Sequence, residues 1–548
     1  MHEKYKYIIY GLVACCILGT LLLPGYIFTL DSPFVPHMPM PSQVTASFLY
    51  TALLSLLSAI IPSFIVQKLL LFLILLFSGL GAHNLVKHIA PNATPLIWYF
   101  AGLLYMVNPF TYSHFMVGQY AVLLGYIMLP FVIIALLKFL EKPAVKSSGM
   151  LAGSLVLMSI FSIHTLGIAA TLAVPIVGLW TYRNRANRQW FAQIFRLGLL
   201  AVTGFIAASS YWLVPLLFGN SKTSQVISGF TQADYTAFAT NGDSLGVIGN
   251  ILALRGFWAD STVMYKMPED IFGWWFVPII LFWVLLVLGI VRSYKLSRGL
   301  TIAFGLGLIA ALIFATGITD TPFAGLNQWL IAHIPLFAGY REPHKFVMII
   351  ALAYAYFGSM GVLLLLEKIA KLKNAATFKI AVVGPLLLIP LLMAPLTLWG
   401  FAGQLKATDY PKDWYEMNKL IQQKPQAKVL FLPWHQYMDF DFAGRIVINP
   451  ADIFFTNHTV TSNDPEYKGS HSGPSSTDQK YVQEQLLPLA ASTDAGDRWS
   501  KVGFSYILLA KEFDYKKYDY LDKQTGLRLI KQTENLMLYE VTPGREQL

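Results

Sequence analysis

The first long apolar stretch, Tyr7–Leu30 (YIIYGLVACCILGTLLLPGYIFTL), contains no Asp, Glu, Lys or Arg and decides the class of the fold. As a helix rising about 1.5 Å per residue, it is long enough to cross the roughly 30 Å hydrocarbon core of a bilayer. The stretch ends at Asp31, the only formally charged residue between Lys6 and Lys68. A carboxylate beside lipid is costly unless it has a role or a partner, so Asp31 is a functional-site candidate. The alternative is a helix-end residue that faces water.

The composition of the whole chain is that of a polytopic membrane protein. Hydrophobic residues make up 55% of the 548 residues, charged residues make up 13%, and the mean hydropathy is +0.53. A soluble chain carries about 25% charged residues. The net charge of +10 does not indicate a nucleic-acid partner, because Lys and Arg cluster in short connections between apolar runs. Cys15 and Cys16 are adjacent in the first stretch and cannot join separate parts of the fold.

About eleven apolar runs are predicted to be transmembrane helices. They cover residues 8–30, 69–87, 94–108, 119–138, 149–164, 167–181, 194–217, 272–291, 300–317, 346–366 and 378–400. The run Ala46–Ile61 is shorter, ends at Pro62 and is predicted to lie in the outer interface. With a cytoplasmic N-terminus, the inward connections hold 17 Lys and Arg and the outward ones hold 6. This positive-inside bias predicts a multi-pass α-helical protein of the plasma membrane, N-terminus in and C-terminus out.

Residues 401–548 are predicted to form a small extracytoplasmic α/β domain, separate from a transmembrane module over residues 1–400. Its apolar runs shrink to strand length. These runs are Val429–Leu432, Ile446–Ile448, Tyr506–Leu509 and Leu536–Tyr539. Pro411–Gln423 (PKDWYEMNKLIQQ) instead has helical spacing, with an apolar face that includes Trp414 and Met417.

Three outward segments, 31–68, 220–271 and 318–345, carry most of the polar chemistry. The 220–271 loop is too long for a simple connector and combines aromatic with acidic residues. Its acidic residues are candidates for catalysis, substrate binding or metal binding, with solubility as the alternative. The candidates kept from this loop are Asp260, Glu269 and Asp270.

The string Phe337–Phe346 (FAGYREPHKF) precedes the tenth predicted span. Arg341, His344 and Lys345 are three possible hydrogen-bond donors, and the planar fork of Arg and the mobile charge of Lys suit a phosphate at headgroup depth. The alternative is an interfacial pair that reaches toward the headgroups, with Glu342 as its counter-ion. Tyr340 and Glu342 are further substrate-binding candidates.

A third string, Met106–Tyr120, contains a turn-forming Asn-Pro pair and is predicted to lie at an outward hairpin tip. His114 and Gln119 in this string could hydrogen-bond a polar ligand. His37, which follows Asp31 after two prolines, is a further candidate for substrate binding.

These features together resemble the GT-C superfamily of polyprenyl-phosphate-sugar-dependent glycosyltransferases, including bacterial and archaeal arabinofuranosyltransferase-like proteins. The resemblance begins with an acidic residue on the outer side of the first span, followed by an interfacial helix. Its further motifs are Asn108-Pro109, Gly118-Gln119, Leu129-Pro130 and Tyr340–Phe346. The C-terminal runs Tyr506–Leu509 and Leu536–Val541 are similar to the outer domain that many members carry.

The resemblance implies transfer of a sugar from a polyprenyl-phosphate-linked donor to a glycan, lipid or protein acceptor at the outer face. Asp31 would be the general base, and Arg341, His344 and Lys345 would bind the leaving phosphate. A single displacement of this kind inverts the anomeric centre. Membrane lipids and the lipid-linked donor are the implied partners.

One departure concerns metal dependence. Many members carry a paired acidic motif in the first outer loop, whereas Ser32 and Pro33 follow Asp31 here. This departure argues against a metal-dependent reaction, so no metal ligand is assigned, and a divalent metal is left open.

Two other functional classes stay open. A lipid-linked sugar transporter or flippase is expected to have charges inside its spans and an internal repeat, and the sequence has almost none of the former and no obvious repeat. A non-catalytic membrane scaffold would make Asp31 and Arg341 interfacial residues only.

Overall fold

The computed structural model describes residues 3–218, 221–262, 264–371, 375–471, 473, 475–489 and 496–542. Asn220 and Val263 of the predicted 220–271 loop, and residues 472, 474, 490–495 and 543–548 of the predicted C-terminal domain, lie outside this set. The chain divides into two compact units. The membrane unit comprises Met1–Thr20, Pro41–Leu53 and Leu69–Gln404, and the sheet unit comprises Leu21–Met40, Leu54–Lys68 and Leu405–Leu548.

Eight helices of the described residues are long and apolar enough to cross a membrane. They are Glu3–Leu22, Ser63–Ile89, Tyr120–Glu141, Ile163–Arg183, Arg188–Leu217, Val277–Leu296, Arg298–Ala315 and Pro343–Ile369. A ninth span results if Val383–Met393 and Pro395–Ala402, which meet at a bend of 72°, are counted together. The chain is therefore a multi-pass membrane protein.

Two of the eleven predicted spans correspond to helices that are shorter than these eight. The run predicted at 94–108 is the helix Pro95–Met106, which has 12 residues and is about 18 Å long. The run at 149–164 is Val145–Phe161, which has 17 residues. The predicted interfacial run is the helix Phe48–Ile60. Apolar composition alone does not separate a short helix from a span, so the number eleven stays a prediction.

The spans Val277–Leu296 and Pro343–Ile369 cross closely at two glycines. A Cβ atom on Gly289 would overlap the carbonyl oxygen of Phe357, and one on Gly361 would overlap the backbone of the facing helix. Small residues let two backbones approach, which is how spans associate where lipid supplies no hydrophobic driving force. The span that begins at Pro343 is thereby held at its middle, and most of its side chains are buried.

Shorter helices complete the membrane unit. They are Pro109–Val117, Lys222–Ser228, Gln232–Ala237, Gly246–Leu252 and Ala324–His333. The first of these begins with a capping box, in which the Asn108 side chain accepts from Thr111 N and Thr111 Oγ1 accepts from Asn108 N. Three others, between residues 222 and 252, divide the 220–271 loop into ordered turns.

The described part of the sheet unit contains nine short strands. They are β1 Tyr26–Ile27, β2 Ala407–Thr408, β3 Lys428–Leu432, β4 Tyr437–Phe440, β5 Arg445–Ile448, β6 Thr459–Val460, β7 Phe504–Ala510, β8 Leu527–Gln532 and β9 Leu536–Val541. The main sheet has the order β6-β3-β7-β9-β8, with β3 parallel to both of its neighbours and β9 antiparallel to both of its own. The four predicted strands are present as β3, β5, β7 and β9. The exposed β8 and the two-residue β6 lack the apolar pattern that would have predicted them.

Helices and turns flank this sheet. They are Lys412–Ile421, Ala451–Phe454, Thr477–Tyr481, Val482–Leu486, Gly496–Lys501 and the 3-10 turn Tyr515–Lys523. The first is the predicted helix, and its Trp414, Met417 and Ile421 side chains are fully buried. The spacing of the apolar residues in the sequence therefore identifies the helix face that packs inside the unit.

Two N-terminal segments belong to the sheet unit because hydrogen bonds tie them to it. β1 pairs antiparallel with β2. The Gln67 side chain accepts from Ile27 N at 2.9 Å and donates to Ile27 O at 2.7 Å. Ile448 N also donates to Leu30 O at 2.9 Å. The residues around Asp31 are consequently held by contacts with β2, β5 and Gln67.

Candidate functional site

The string that contains Arg341 leads directly into a span. Pro343–Phe346 forms a 3-10 turn, and the α-helix Val347–Ile369 follows without a break. Proline suits this first turn because the missing backbone N–H would have no partner there. Glu342, His344 and Lys345 are only 8%, 1% and 8% exposed, so most of this charged string lies inside the membrane unit.

Glu342 is the anionic centre of this string. It accepts a hydrogen bond from Gln119 Nε2 at 2.9 Å and lies 3.3 Å from Lys345 Nζ. Burial acts to raise the pKa of Glu342, but the charges of Lys345 and Arg341 and the bond from Gln119 outweigh it and lower the pKa to about 2. Glu342 is therefore ionised and neutralises Lys345. The sequence predicted these residues as neighbours of a ligand, and the structure brings Gln119, Glu342 and Lys345 into one network.

Arg341 has a separate partner that the sequence did not single out. Its Nη1 lies 3.8 Å from Oδ1 of Asp234, and its guanidinium lies over the rings of Phe230 and Phe238 at 4.7 and 4.4 Å. Asp234 is 3% exposed and accepts from the backbone and hydroxyl of Thr231, which caps a short helix. The ring contacts orient the guanidinium, and the long distance to Asp234 leaves its donors able to meet a second anion.

His114 and His344 form a buried stack. Their ring centroids are 5.6 Å apart with planes 17° from parallel, between Phe110 and Phe257. His114 Nδ1 donates to the carbonyl of Phe110 at 2.9 Å, and His344 Nε2 donates to the carbonyl of Arg255 at 3.1 Å. Burial, with His344 nearby, holds the pKa of His114 well below its usual range, so this ring is neutral.

The remaining nitrogens of the two rings can accept a hydrogen bond. His114 Nε2 and His344 Nδ1 have no hydrogen-bond partner among the described residues. In a neutral imidazole one nitrogen donates and the other accepts, and the donating nitrogens already face carbonyls. Both nitrogens are enclosed by protein, and as acceptors they match a hydroxyl group rather than a phosphate oxygen, which only accepts.

Arg255 adds a third cation that the sequence did not single out. Its side chain is 4% exposed, it forms an ion pair with Glu269 through Nη2, and it lies over the ring of Trp275 at 4.4 Å. Nε and Nη1 of Arg255 have no hydrogen-bond partner among the described residues. Burial lowers the pKa of Arg255, and acidic neighbours such as Asp260 act against that effect.

Asp260 organises the loop. Its carboxylate accepts four hydrogen bonds, from the backbone N–H groups of Gly256 and Phe257 and from the hydroxyls of Ser113 and Tyr265, at 2.6–3.0 Å. A carboxylate with four donors has its lone pairs occupied, so Asp260 is suited to positioning rather than to proton abstraction.

Asp270 and Tyr340 are also held by backbone groups. Asp270 is exposed and accepts from Met267 N at 2.6 Å. The Tyr340 hydroxyl donates to the carbonyl of His164 at 2.9 Å, and burial raises the pKa of this phenol. Tyr340 is therefore held in place by this hydrogen bond, and its phenol stays protonated.

Asp31 and His37 belong to the sheet unit. Asp31 is half-buried and accepts a hydrogen bond at 3.1 Å from the hydroxyl of Tyr437, the first residue of β4. His37 is exposed. Tyr437 is a further residue that the sequence did not single out. Within the described residues, no group of three or more His, Cys, Asp or Glu side chains is placed to hold a metal ion.

The residues that were missed had weak local signals. Asp234 stands three positions after Thr231, a spacing typical of a helix-capping box. Arg255 is one of few basic residues in the 220–271 loop, and only the fold reveals that it is buried. Tyr437 carries no signal at all, because its bond to Asp31 joins positions that are 406 residues apart.

Glu512 in the sheet unit gives a pH prediction. It is 5% exposed, and burial, with the nearby carboxylates of Asp441, Asp439 and Asp413, raises its pKa from 4.5 to about 7. The native state therefore holds a proton that the unfolded chain releases above pH 4.5, so the free energy of unfolding falls as the pH rises toward 7. The shift corresponds to about 3 kcal/mol.

We expect Glu512→Gln to unfold at a higher temperature than the wild type at pH 8 and at nearly the same temperature at pH 4.5. Thermal unfolding of the detergent-solubilised chain across this pH range measures the difference. Glu534→Gln, at an exposed turn, is the control and should follow the wild type. An equal effect of Glu512→Gln at both pH values would contradict the assignment.

No protein-family model and no curated protein matches the sequence. The fold, however, is similar to solved structures. The arabinofuranosyltransferase AftD from Mycobacteria superposes with a TM-score of 0.61 at 14% identity, over 99% of this chain and 40% of AftD. Its R1389S mutant, class 2, gives a TM-score of 0.62 at 13% identity, over 99% of this chain and 42% of that one.

ArnT from Cupriavidus metallidurans, solved with undecaprenyl phosphate bound, gives a TM-score of 0.50 at 10% identity over 98% of this chain and 97% of ArnT. Both neighbours are GT-C proteins. The predicted GT-C resemblance is confirmed at the level of the fold, and the chain spans about 40% of the length of AftD.

Proposed function

We propose that this protein is an integral-membrane glycosyltransferase. It moves a sugar from a polyprenyl-phosphate-linked donor to a glycan, lipid or protein acceptor at the outer face of the plasma membrane, with inversion of the anomeric centre. The GT-C fold supports the reaction class. The observation that carries the proposal is that Arg341 and Lys345 both act on the carboxylate of Glu342 at the beginning of the span Pro343–Ile369, where His344 also bonds the backbone carbonyl of Arg255.

Each of these cations is paired with a carboxylate, which affects how a phosphate would bind. Arg255 pairs with Glu269, Arg341 with Asp234, and Lys345 with Glu342. The Arg341 pair is the longest of the three, and the Arg341 side chain is 27% exposed, so Arg341 meets the lipid phosphate with the least loss of existing contacts. Charge that grows on the leaving phosphate is stabilised by cations already held in place.

His344 receives a different role from the one the sequence suggested. Because its Nε2 donates to a backbone carbonyl, its open Nδ1 accepts, and a phosphate oxygen offers no hydrogen to it. We assign His344 and His114 to hydroxyl groups of the donor sugar. Asp31, held by Tyr437, is the proposed general base for the acceptor hydroxyl.

Arg341→Ala should weaken donor binding at least tenfold and lower the rate of transfer further, because the charge meets the phosphate in both the ground state and the transition state. Binding and turnover are measured with the purified full chain and synthetic polyprenyl-phosphate-linked sugars. Arg185→Ala, at an exposed connection, is the matched control and should leave both unchanged. If Arg341→Ala binds donor and turns over like the wild type, the phosphate site lies elsewhere.

The positive-inside bias predicts the orientation. A reporter fused to the C-terminus should be accessible from outside the cell, and one inserted at residues 184–187 should be accessible only from the cytoplasm. Accessibility to a membrane-impermeant label measures both. A C-terminal reporter on the cytoplasmic side would overturn the outer location of the reaction.

A further inference from the structure

A cavity of about 720 Å³ lies in the membrane unit, away from the residues discussed so far. Its lining includes the ends of three spans, at Ile89, Leu296 and Ile369, together with the connection from Pro91 to Thr94. The span Pro343–Ile369 has 27 residues and is about 40 Å long. The cavity therefore lies at the opposite end of this span from Lys345, at the level where spans leave the hydrocarbon core.

The cavity is lined by an apolar wall and by one ion pair. Met360, Leu363 and Leu366 supply an apolar wall, and Arg292 and Glu367 face the same cavity. Nε and Nη2 of Arg292 donate to the two carboxylate oxygens of Glu367 at 2.8 and 2.7 Å. Among the described contacts, Nη1 of Arg292 makes no hydrogen bond, so the pair presents one open donor beside one carboxylate.

Helix ends of both kinds lie at this cavity. Three spans end there and present carbonyl groups, and two helices, Pro95–Met106 and Arg298–Ala315, begin at Thr94 and Ser297 of the lining and present N–H groups. Both oxygens of Glu367 accept from Arg292 and keep further lone pairs, so a ligand with an N–H donor, an anionic group and an apolar tail matches this lining. A volume of about 720 Å³ is in the range of pockets that hold drug-sized ligands, which is room for a headgroup and the nearest part of its chains.

We propose that this cavity binds a glycerophospholipid with an ethanolamine headgroup. The primary ammonium donates to Glu367 and to the carbonyls at the span ends, the phosphate meets Nη1 of Arg292, and the acyl chains lie along Leu363 and Leu366. A choline headgroup has the same charges but no N–H to donate, so it should bind more weakly. The proposal does not depend on the glycosyltransferase assignment, because none of these residues belongs to the proposed donor site.

The test uses the purified, delipidated full chain and phospholipids with identical acyl chains and different headgroups. Native mass spectrometry should show one phosphatidylethanolamine bound per chain, with a Kd at least tenfold lower than that of phosphatidylcholine or phosphatidylglycerol. Ala93→Trp puts a bulky side chain on the connection that lines the cavity and should abolish this binding. Ala186→Trp, at an exposed connection, is the matched control and should bind like the wild type.

Glu367→Gln is the second variant and tests the same binding even if Ala93→Trp does not fold. It keeps the shape of the side chain but removes the charge, so discrimination between ethanolamine and choline should fall at least fivefold. Equal affinity for the two headgroups in the wild type, a preference for phosphatidylglycerol, or unchanged binding by a folded Ala93→Trp chain would each overturn the proposal.

Discussion

Replacing Asp31 with asparagine should reduce glycosyl transfer by about 10²–10⁴-fold while donor binding persists. Asparagine keeps the shape of the side chain and can still accept the bond from Tyr437, which lies at 3.1 Å, but it cannot take a proton from the acceptor hydroxyl. The measurement is single-turnover transfer with saturating lipid-linked donor, alongside a separate donor-binding assay. Asp519→Asn, an exposed carboxylate of the sheet unit, is the control and should leave transfer intact.

Transfer at the wild-type rate by Asp31→Asn would remove Asp31 as the base. The 220–271 loop would then have to supply it, and its geometry ranks the candidates. Asp260 is the weakest, because four donors already occupy it. Asp270 and Glu269 would be substituted next, and if neither affected transfer, the scaffold interpretation would replace that of an enzyme.

The second large effect concerns stability. Glu269→Ala should lower the free energy of unfolding by about 3–5 kcal/mol, because it leaves the 4%-exposed guanidinium of Arg255 without its counter-ion. Thermal and denaturant unfolding of the detergent-solubilised chain measure this loss. The double variant Arg255→Met/Glu269→Met is the matched control. Because it removes both charges, no unpaired cation is left, and the loss in the free energy of unfolding should be much smaller.

A small loss in the single variant would mean that Arg255 is stabilised mainly by Trp275, whose ring lies 4.4 Å away. Trp275→Leu would then produce the larger loss. The two substitutions therefore distinguish the ion pair from the ring contact as the feature that holds Arg255 in place.

The sequence predicts the parts of this protein that depend on local patterns. Hydropathy locates the spans, and the spacing around Trp414 locates the buried face of its helix, because both patterns repeat within one element. The string at Arg341 stands out because its charges interrupt an apolar region. Long-range pairing is different: nothing near Asp31 indicates Tyr437, and nothing near Arg341 indicates that Asp234 and two phenylalanine rings surround it.

The direction of hydrogen bonds is a second property of the site that the sequence does not predict. Sequence offers His344 as a donor for phosphate, since every histidine has that capacity. In the structure, His344 Nε2 donates to the carbonyl of Arg255, so Nδ1 is the nitrogen that remains and it can only accept. The expected ligand group is therefore a hydroxyl and not a phosphate. Likewise, the length of an apolar run does not distinguish the 12-residue helix Pro95–Met106 from a span.

The two-residue ladder between β1 and β2 also has a consequence for biosynthesis. Its strands are roughly 380 positions apart, and at about 5–20 residues per second a ribosome needs about 20–80 s to make the intervening chain. During that time the newly made segment at Tyr26–Leu30, which is buried in the finished protein, waits without its partner strand. Nascent chains stalled before residue 407 would therefore present this segment to quality-control proteases, and full-length yield should depend on how quickly translation passes that point.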